Sequence, residues 1–364
     1  MRQAGSRRCE DRVVVMLITM IVVCSLVAVA GLLKYLIDVN RDIVITETRR
    51  DLQLRPIFKR AGKTLRLKYS KHGIMPGSGG GINYSIARLR GTIDGIDLEV
   101  HAGMGDDSDK AGSILIRAGY TADIGSVGHF TIFPERSGRR RHEEGGVIDF
   151  AVGDETFDKT LRVEARNPRG ILALLDGNVR KRLTALSRQC SRFRFNESGA
   201  EVNVPADRIK GPDELVDCIE LVALIGKNLS LAGDVRKMLM GNIEKDPVAA
   251  VRVANIEALA ADIPLDEEVK SLLEKNLGDD DLDVQIAAAR HLGDDGMRHL
   301  ASLLERGDEL GESVVLRIVS AAGANRSRES VPVLIKYYAA AKNSAIKIAI
   351  LKAMDTIGYG GLAP

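Results

Sequence analysis

The segment VRVANIEAL at residues 251–259 returns in altered form as VQIAAARHL at residues 284–292. A third copy begins at Val314 and a fourth, IKIAILKAM, occupies residues 346–354, so successive copies start 33, 30 and 32 residues apart. A fixed period of this length indicates a repeated structural unit. Within each copy, apolar residues recur every three or four positions, which predicts an amphipathic helix.

A second amphipathic stretch precedes each copy, so each unit contains two predicted helices. These stretches are Val235–Ile243, Glu267–Leu277, Met297–Leu304 and Ser330–Tyr338. Asp246 before Pro247 and the aspartate-rich run at residues 279–283 are suited to cap the paired helices. Two helices per unit at a fixed period predict an α-solenoid of four helix pairs over residues 232–364.

The four copies resemble the short HEAT-like repeat family in their apolar, small and capping positions. The resemblance implies a stack of helix pairs whose extended surface binds a protein partner. A further helix is predicted over Pro212–Leu229, within a connecting segment at residues 210–231. We expect it to cap the first repeat and to join it to the domain that precedes it.

Residues 61–209 follow a two-residue period, which predicts an antiparallel sheet or sandwich. Asp94-Gly95 between two alternating runs is a type I′ hairpin signal. One helix is expected among the strands, capped by Asn167 with Pro168 at its first position, so the domain is α+β. Further strands are expected at Ser113–Gly119, His129–Phe133, Val147–Val152, Thr160–Ala165, Arg192–Phe195 and Glu201–Val204.

The basic residues of that helix fall mostly on the side opposite its apolar stripe. We expect this face to be solvated, with binding to lipid or to a partner as the alternative. The residues concerned are Arg180, Lys181, Arg182 and Arg188.

The hexapeptide GDETFD at residues 153–158 stands before a predicted strand and a leucine-rich helix. It resembles a G-D-x-x-F-D signature that recurs in a bacterial membrane-tethered domain, over residues 80–205 of this chain. The resemblance implies no activity and no functional residue. From its chemistry, Phe157 is expected in the core, with Asp154 and Asp158 in turn or capping positions.

The apolar stretch Val13–Leu33 contains 21 residues without a charge. As a helix rising about 1.5 Å per residue it spans roughly 31 Å, close to the bilayer's hydrocarbon thickness of about 30 Å. It therefore predicts a single transmembrane helix, preceded by a basic tail at residues 1–12. A cleaved secretory signal ending at Ala30 is the alternative, but this apolar run is longer than the usual signal core of about 7–15 residues.

Lysine and arginine flank this stretch on both sides, so they do not decide its orientation. Residues 1–12 contain four of them, and residues 34–53 also contain four. Residues 34–71 carry 11 basic and four acidic residues, a charge suited to anionic lipid. This basic charge slightly favours a cytoplasmic location for the part of the chain that follows the apolar stretch. The juxtamembrane segment at residues 34–60 is predicted to be helical until Pro56 ends or kinks it.

The 364 residues have room for two or three domains, with a net charge of +2. Residues 246–364 hold 13 basic and 19 acidic residues, so the helical end is acidic. An acidic surface argues against nucleic acid as a partner, because phosphate contacts need basic residues. Cys190 and Cys218 are expected as free thiols in a reducing compartment, or as one bridge if the body is exported.

No residue pattern supports a catalytic, cofactor-binding or metal assignment. The run at residues 279–283 lacks the spacing of a calcium loop, and His291 and His299 are predicted on different helices. HEAT-like hydroxylases bind iron through His-Glu pairs in their repeats, whereas His142-Glu143 lies outside these repeats. The glycine-rich residues 77–81 lack the Gly-Lys-Ser/Thr ending of a phosphate-binding loop.

These features together favour a membrane-anchored, non-enzymatic scaffold or adaptor that binds a protein partner through its solenoid. The alternative is a membrane-tethered enzyme with its site in the β-rich domain or at the junction with the solenoid. Candidate residues for such a site are His101, His129 and Asp149.

Overall fold

The computed structural model describes residues 34, 53–71, 73–76, 82–103, 112–135, 146, 148–230, 233–262 and 265–359. The predicted transmembrane stretch Val13–Leu33 lies outside these residues. Among the helices that are described, none is both long and apolar enough to cross a membrane.

A helix over residues 53–64, α1, precedes the sheet and contributes Leu54, Phe58 and Ala61 to its core. Pro56 does not end this helix, which continues to residue 64. The proline ring fixes φ near about −65°, which helical backbone also adopts, so the helical conformation can continue past Pro56.

The middle of the chain forms an antiparallel sheet, as its two-residue period predicts. Its strand order is β1-β3-β4-β5-β10-β9-β6-β8-β7, with β2 paired to β3. Gly119 on β5 pairs with Gly199 on β10, so the centre of the sheet depends on contacts between distant segments. The strands in the described residues are β1 Lys68–Ser70, β2 Gly73–Pro76, β3 Ile82–Ile93, β4 Ile96–Gly103, β5 Ser113–Gly119, β6 Phe130–Pro134, β7 Ile148–Phe150, β8 Leu161–Ala165, β9 Arg192–Asn196 and β10 Gly199–Pro205.

One face of the sheet is apolar and buried, and the other is polar. Buried and more exposed residues alternate along β5 and β8, which places successive side chains on opposite faces. The hairpin predicted at Asp94-Gly95 is confirmed, with φ angles of 51° and 85°. A row of buried side chains crosses five strands: Leu89, Val100, Ile116, Val202 and Phe193.

The single helix expected after Asn167 is in fact two helices. Asn167 caps α4 (Pro168–Leu174) as predicted, but this helix ends there, with Leu175 as its C-cap. Asp176 then accepts a hydrogen bond from the backbone N–H of Val179 and begins α5 (Gly177–Gln189). The apolar spacing continues across the break, which is why periodicity alone did not reveal it. Two short helices precede them, α2 (Ile124–Val127) and α3 (Glu155–Asp158).

The helix predicted over Pro212–Leu229 is α6, with those bounds. It contacts β4, β5, β10 and α5, and so covers the sheet. Both members of the first C-terminal pair, α7 and α8, contact α4.

The C-terminal region is helical, and each of the eight predicted amphipathic stretches corresponds to a helix. Two of them, Glu267–Leu277 and residues 284–292, extend one residue beyond the end of the helix. The pairs are α7/α8, α9/α10, α11/α13 and α14/α15, and the second helices contact one another in the series α8, α10, α13, α15. The bounds are α7 Val235–Lys245, α8 Ala249–Asp262, α9 Glu267–Asn276, α10 Leu282–His291, α11 Gly293–Glu305, α12 Gly307–Leu310, α13 Glu312–Asn325, α14 Ser330–Ala340 and α15 Ser344–Thr356.

Candidate functional site

A buried ion pair joins the middle domain to the first C-terminal helix pair. Arg180 on α5 donates from Nη1 to Asp246 Oδ2 at 2.8 Å and from Nη2 to Oδ1 at 2.9 Å. The two side chains are 2% and 0% exposed. Arg180 also donates from Nε to Asp154 at 3.0 Å. The expectation that Arg180 lies on a solvated face is therefore wrong, because the C-terminal region packs over this part of α5.

The charge of Arg180 is maintained by these partners. Burial by itself lowers the pKa of an arginine, but the hydrogen bonds to Asp246 and Asp154 outweigh it and raise the pKa of Arg180. If either Arg180 or Asp246 were removed, the other charge would stay buried without a counter-charge, which is strongly unfavourable.

The GDETFD motif forms the middle-domain side of this junction. Asp154 accepts hydrogen bonds from the backbone N–H groups of Thr156 and Phe157 and caps α3. Asp158 accepts from the backbone N–H of Gly153 at 2.9 Å, and Phe157 is buried. The predicted roles of these residues are confirmed. Gly153 has φ +98°, and a Cβ there would lie 3.1 Å from the backbone of Ala250, so glycine permits this close approach to α8.

Asn242 on α7 completes the junction. Its Nδ2 donates to the carbonyl of Ala173 at 3.2 Å and to Asn255 Oδ1 at 3.3 Å. It thereby satisfies a carbonyl at the end of α4 that has no partner within its own helix. The junction is a packed interface with paired polar groups, which gives it a structural role.

The three candidate catalytic residues do not converge. His101 lies on β4, His129 directly before β6, and Asp149 on β7. Three strands separate β4 from β6, which at about 4.8 Å per strand places them roughly 19 Å apart. Each residue has its own partner: His101 contacts Glu99 at 3.2 Å, His129 contacts Glu197 at 2.7 Å, and Asp149 contacts Arg162 at 2.7 Å.

The histidines of the helical region also have separate partners. His291 Nε2 lies 3.2 Å from Glu257, and His299 Nε2 lies 3.0 Å from Gln285 Oε1. Asp281 caps α10, as predicted for this loop. Within the described part of the chain, no group of three or more His, Cys, Asp or Glu is arranged to hold a metal ion. His142-Glu143 and the glycine-rich residues 77–81 lie outside the described residues.

The polar face of the sheet carries a row of charged side chains, whose signs alternate from Arg90 to Arg194. The ion pairs Arg88–Glu99 and Arg117–Glu201, the latter at 3.5 Å, connect neighbouring strands. A shallow cavity of about 590 Å³ lies over this row. Cross-strand pairs of this type stabilise strand pairing modestly. The row crosses six strands through Lys68, Arg90, Glu99, Arg117, Glu201 and Arg194.

A groove of about 410 Å³ lies along α8, α10 and α13 in the helical region. Val253 and Ile286, which occupy the same position in two successive copies, line it. Ile348 occupies that position in the fourth copy and is 54% exposed. Ion pairs on the same helices are Arg290–Glu257 at 3.2 Å and Arg317–Asp283 at 2.9 Å. The sequence predicted a binding surface in this region but did not name its residues. The recurrence of apolar residues at the same position of successive copies could have identified them.

The carboxylate of Glu257 is held in its charged form on this groove. Burial raises its pKa, but hydrogen bonds from His291 and Arg290 outweigh burial and lower it. The groove therefore presents an apolar strip between fixed charges, a composition typical of protein–protein interfaces.

Comparison with known proteins adds little to this description. No protein-family model and no curated protein matches the chain. One solved structure that matches is the crystal structure of the mycobacterial trehalose monomycolate transport factor A, TtfA. It aligns over 48% of this chain and 95% of its own, with 12% identity and a TM-score of 0.32. A score this low does not establish a common fold.

Proposed function

We propose that the chain is a membrane-anchored, non-enzymatic scaffold that binds a protein partner through its C-terminal region. In this proposal Val13–Leu33 is a transmembrane anchor, and the helical region is an α-solenoid of HEAT-like repeats. The observation that carries the proposal is the groove along α8, α10 and α13, which has an apolar strip and paired charges.

The regular arrangement of the helix pairs supports an extended binding face. The copies recur at 33, 30 and 32 residues, and their second helices are in contact in series. Equivalent positions of the copies therefore lie side by side, as Val253 and Ile286 do. Stacked helix pairs of this kind commonly present a long continuous surface to partners.

The chemistry of the groove favours an amphipathic segment of another protein. Apolar side chains of such a segment would contact Val253 and the edge of Ile286 in the groove, and its charges would meet the Arg290–Glu257 and Arg317–Asp283 pairs. Beyond the groove, the exposed Ile348 on α15 would extend the apolar contact. Helix-in-groove recognition uses apolar anchors spaced along one face in this way.

A charge-reversal pair tests the groove. Arg290→Glu and Arg317→Glu together change two groove side chains that are 44% and 50% exposed. Arg298→Glu with Lys336→Glu makes the same charge change on α11 and α14, where the side chains are 72% and 80% exposed and do not line the groove. Full-length wild type and both variants are cross-linked in intact cells, purified, and compared by quantitative mass spectrometry.

We expect at least one protein to be recovered equally with wild type and the control variant, and at least about tenfold less with the groove variant, a loss of about 1.4 kcal/mol. Circular dichroism must show equal helix content in all three. Equal recovery with the groove variant would show that partner binding does not use this groove.

The anchor is tested separately by deleting residues 13–33. We expect the full-length chain to stay with membranes after an alkaline wash and the deletion variant to be released, because the apolar stretch supplies the main attachment. A full-length chain that is washed off would contradict the anchor and leave the groove experiment unaffected.

A further inference from the structure

A basic helix face lies at the start of the middle domain. One side of α1 is buried against the sheet through residues such as Phe58 and Ala61. The opposite side carries Lys59, Arg60 and Lys63, which are all exposed. With about 3.6 residues per turn, these three positions fall on the side of the helix that faces away from the buried residues. We call these three residues the basic face of α1.

Close packing beneath α1 holds this face in place. A Cβ at Gly62 would lie 2.7 Å from Cδ2 of Leu89 on β3, so the glycine permits a close approach of the helix to the sheet. The chain then turns into β1, and the backbone N–H of Leu67 donates to the carbonyl of Gly62 at 2.8 Å. The three charges are therefore presented on a fixed surface of the folded domain.

No acidic side chain compensates the basic face. Among the residues that the structure describes, no ion pair includes Lys59, Arg60 or Lys63. Residues 52–93 contain nine lysine and arginine residues and no aspartate or glutamate. Lys59 and Lys63 are also four residues apart in one helix, an arrangement in which like charges are slightly destabilising. The face is therefore available to an anionic partner, which would relieve this repulsion.

We propose that the basic face of α1 binds the anionic phospholipid headgroups of the membrane that holds the anchor. The inference rests on the proposed anchor Val13–Leu33. Residues 34–52 separate this anchor from α1, and these 19 residues span at most about 65 Å when fully extended. The basic face therefore stays near the membrane surface, and anionic lipid attracts lysine and arginine side chains within about one Debye length of that surface.

The contact is electrostatic, which separates it from the anchor. None of the large apolar side chains of α1 is exposed, so the face lies on lipid headgroups and does not enter the acyl chains. At about 1 M salt the Debye length falls to about 3 Å, and this contact is lost while the apolar anchor is retained. Salt therefore distinguishes the two attachments.

The experiment places the full-length chain in nanodiscs of phosphatidylcholine alone or with about 30% phosphatidylserine. An amine-reactive reagent labels the exposed lysines, and mass spectrometry gives the rate at each one. We expect Lys59 and Lys63 to react at least about fivefold more slowly in the phosphatidylserine discs at low salt, and equally in both discs at about 1 M salt. Lys275 and Lys336, which are 70% and 80% exposed in the helical region, should react equally in both discs.

A matched pair of variants tests the face itself. Lys59→Glu with Arg60→Glu reverses two of its charges and leaves Lys63 as the reporter. Lys336→Glu with Lys352→Glu makes the same charge change at exposed positions of the last helix pair. We expect the protection of Lys63 by phosphatidylserine to disappear in the first variant and to persist in the second.

Equal labelling of Lys63 in both discs at low salt would overturn the proposal, and so would protection that persists in the first variant. Single-stranded RNA added to the phosphatidylcholine discs provides a further arm. Protection by RNA with none by phosphatidylserine would assign the face to nucleic acid and also overturn the lipid proposal. A chain that does not enter the phosphatidylcholine discs would contradict the anchor, while low and high salt with phosphatidylserine would still decide the role of the basic face.

Discussion

The junction of the middle domain with the first helix pair and the junction of the first pair with the second use the same chemistry in different surroundings. Asp246 and Asp279, which are 33 residues apart, each accept a backbone N–H two residues ahead, at 3.0 and 2.9 Å. Each also binds an arginine from the preceding unit. Arg180–Asp246 is almost fully buried, whereas Arg252 and Asp279 are each 15% exposed and 2.7 Å apart.

In this respect the middle domain contacts the first helix pair as the first pair contacts the second. α4 covers both helices of the first pair, and α5 supplies the arginine that α8 supplies one unit later. A stack of helix pairs needs a cap at its open end, because the outer apolar surface of the last unit would otherwise face water. If the helical region is such a stack, as proposed, the middle domain is suited to be that cap, because α4 contacts both α7 and α8.

The largest effect is expected from Arg180→Met, which leaves Asp246 buried without its counter-charge. Removing one partner of a buried ion pair costs about 3–5 kcal/mol. Denaturant unfolding of the full chain should show this loss. Lys181→Met, on the exposed side of α5, is the matched control and should cost less than about 0.5 kcal/mol.

Replacing both Arg180 and Asp246 separates the cost of an isolated buried charge from the contribution of the ion pair itself. The variant Arg180→Met with Asp246→Leu should be more stable than either single variant, because no isolated charge remains buried. The coupling energy from a double-mutant cycle should be about 1–3 kcal/mol. If the double variant lost as much free energy of unfolding as the two single variants together, the two side chains would act independently.

A smaller effect is expected at the second junction. Arg252→Ala should cost about 1 kcal/mol, since Asp279 keeps contact with water when its partner is lost. The same unfolding measurement applies. A cost equal to that of Arg180→Met would contradict the view that burial, and not the ion pair itself, distinguishes the two junctions.

The smallest effect concerns His101, a buried titratable group outside both junctions. Burial lowers its pKa from 6.5, and Glu99 only partly opposes this. Below about pH 6.5 the unfolded chain binds a proton that the folded chain does not, so stability is fully present above that pH and declines as the pH falls. His101→Gln should show a weaker decline in the free energy of unfolding; an identical pH profile would rule out this contribution.

Much of the local structure was predictable from the sequence. The helix pairs, the hairpin at Asp94-Gly95, the start of α4 at Asn167 and the roles within GDETFD all follow from spacing and capping chemistry, which act between residues close along the chain. The apolar stretch Val13–Leu33 likewise predicts an anchor from composition alone and stays a prediction.

The tertiary structure alone decided which distant residues meet. From the sequence, Arg180 is expected on a basic surface, and only the fold places it against Asp246. The packing of α5 on α6 is likewise not evident from the sequence. The order of the strands and the residues of the groove were equally hidden. Periodicity records which side of an element is apolar, but it does not specify the element that covers that side, because this choice depends on the packing of the whole chain.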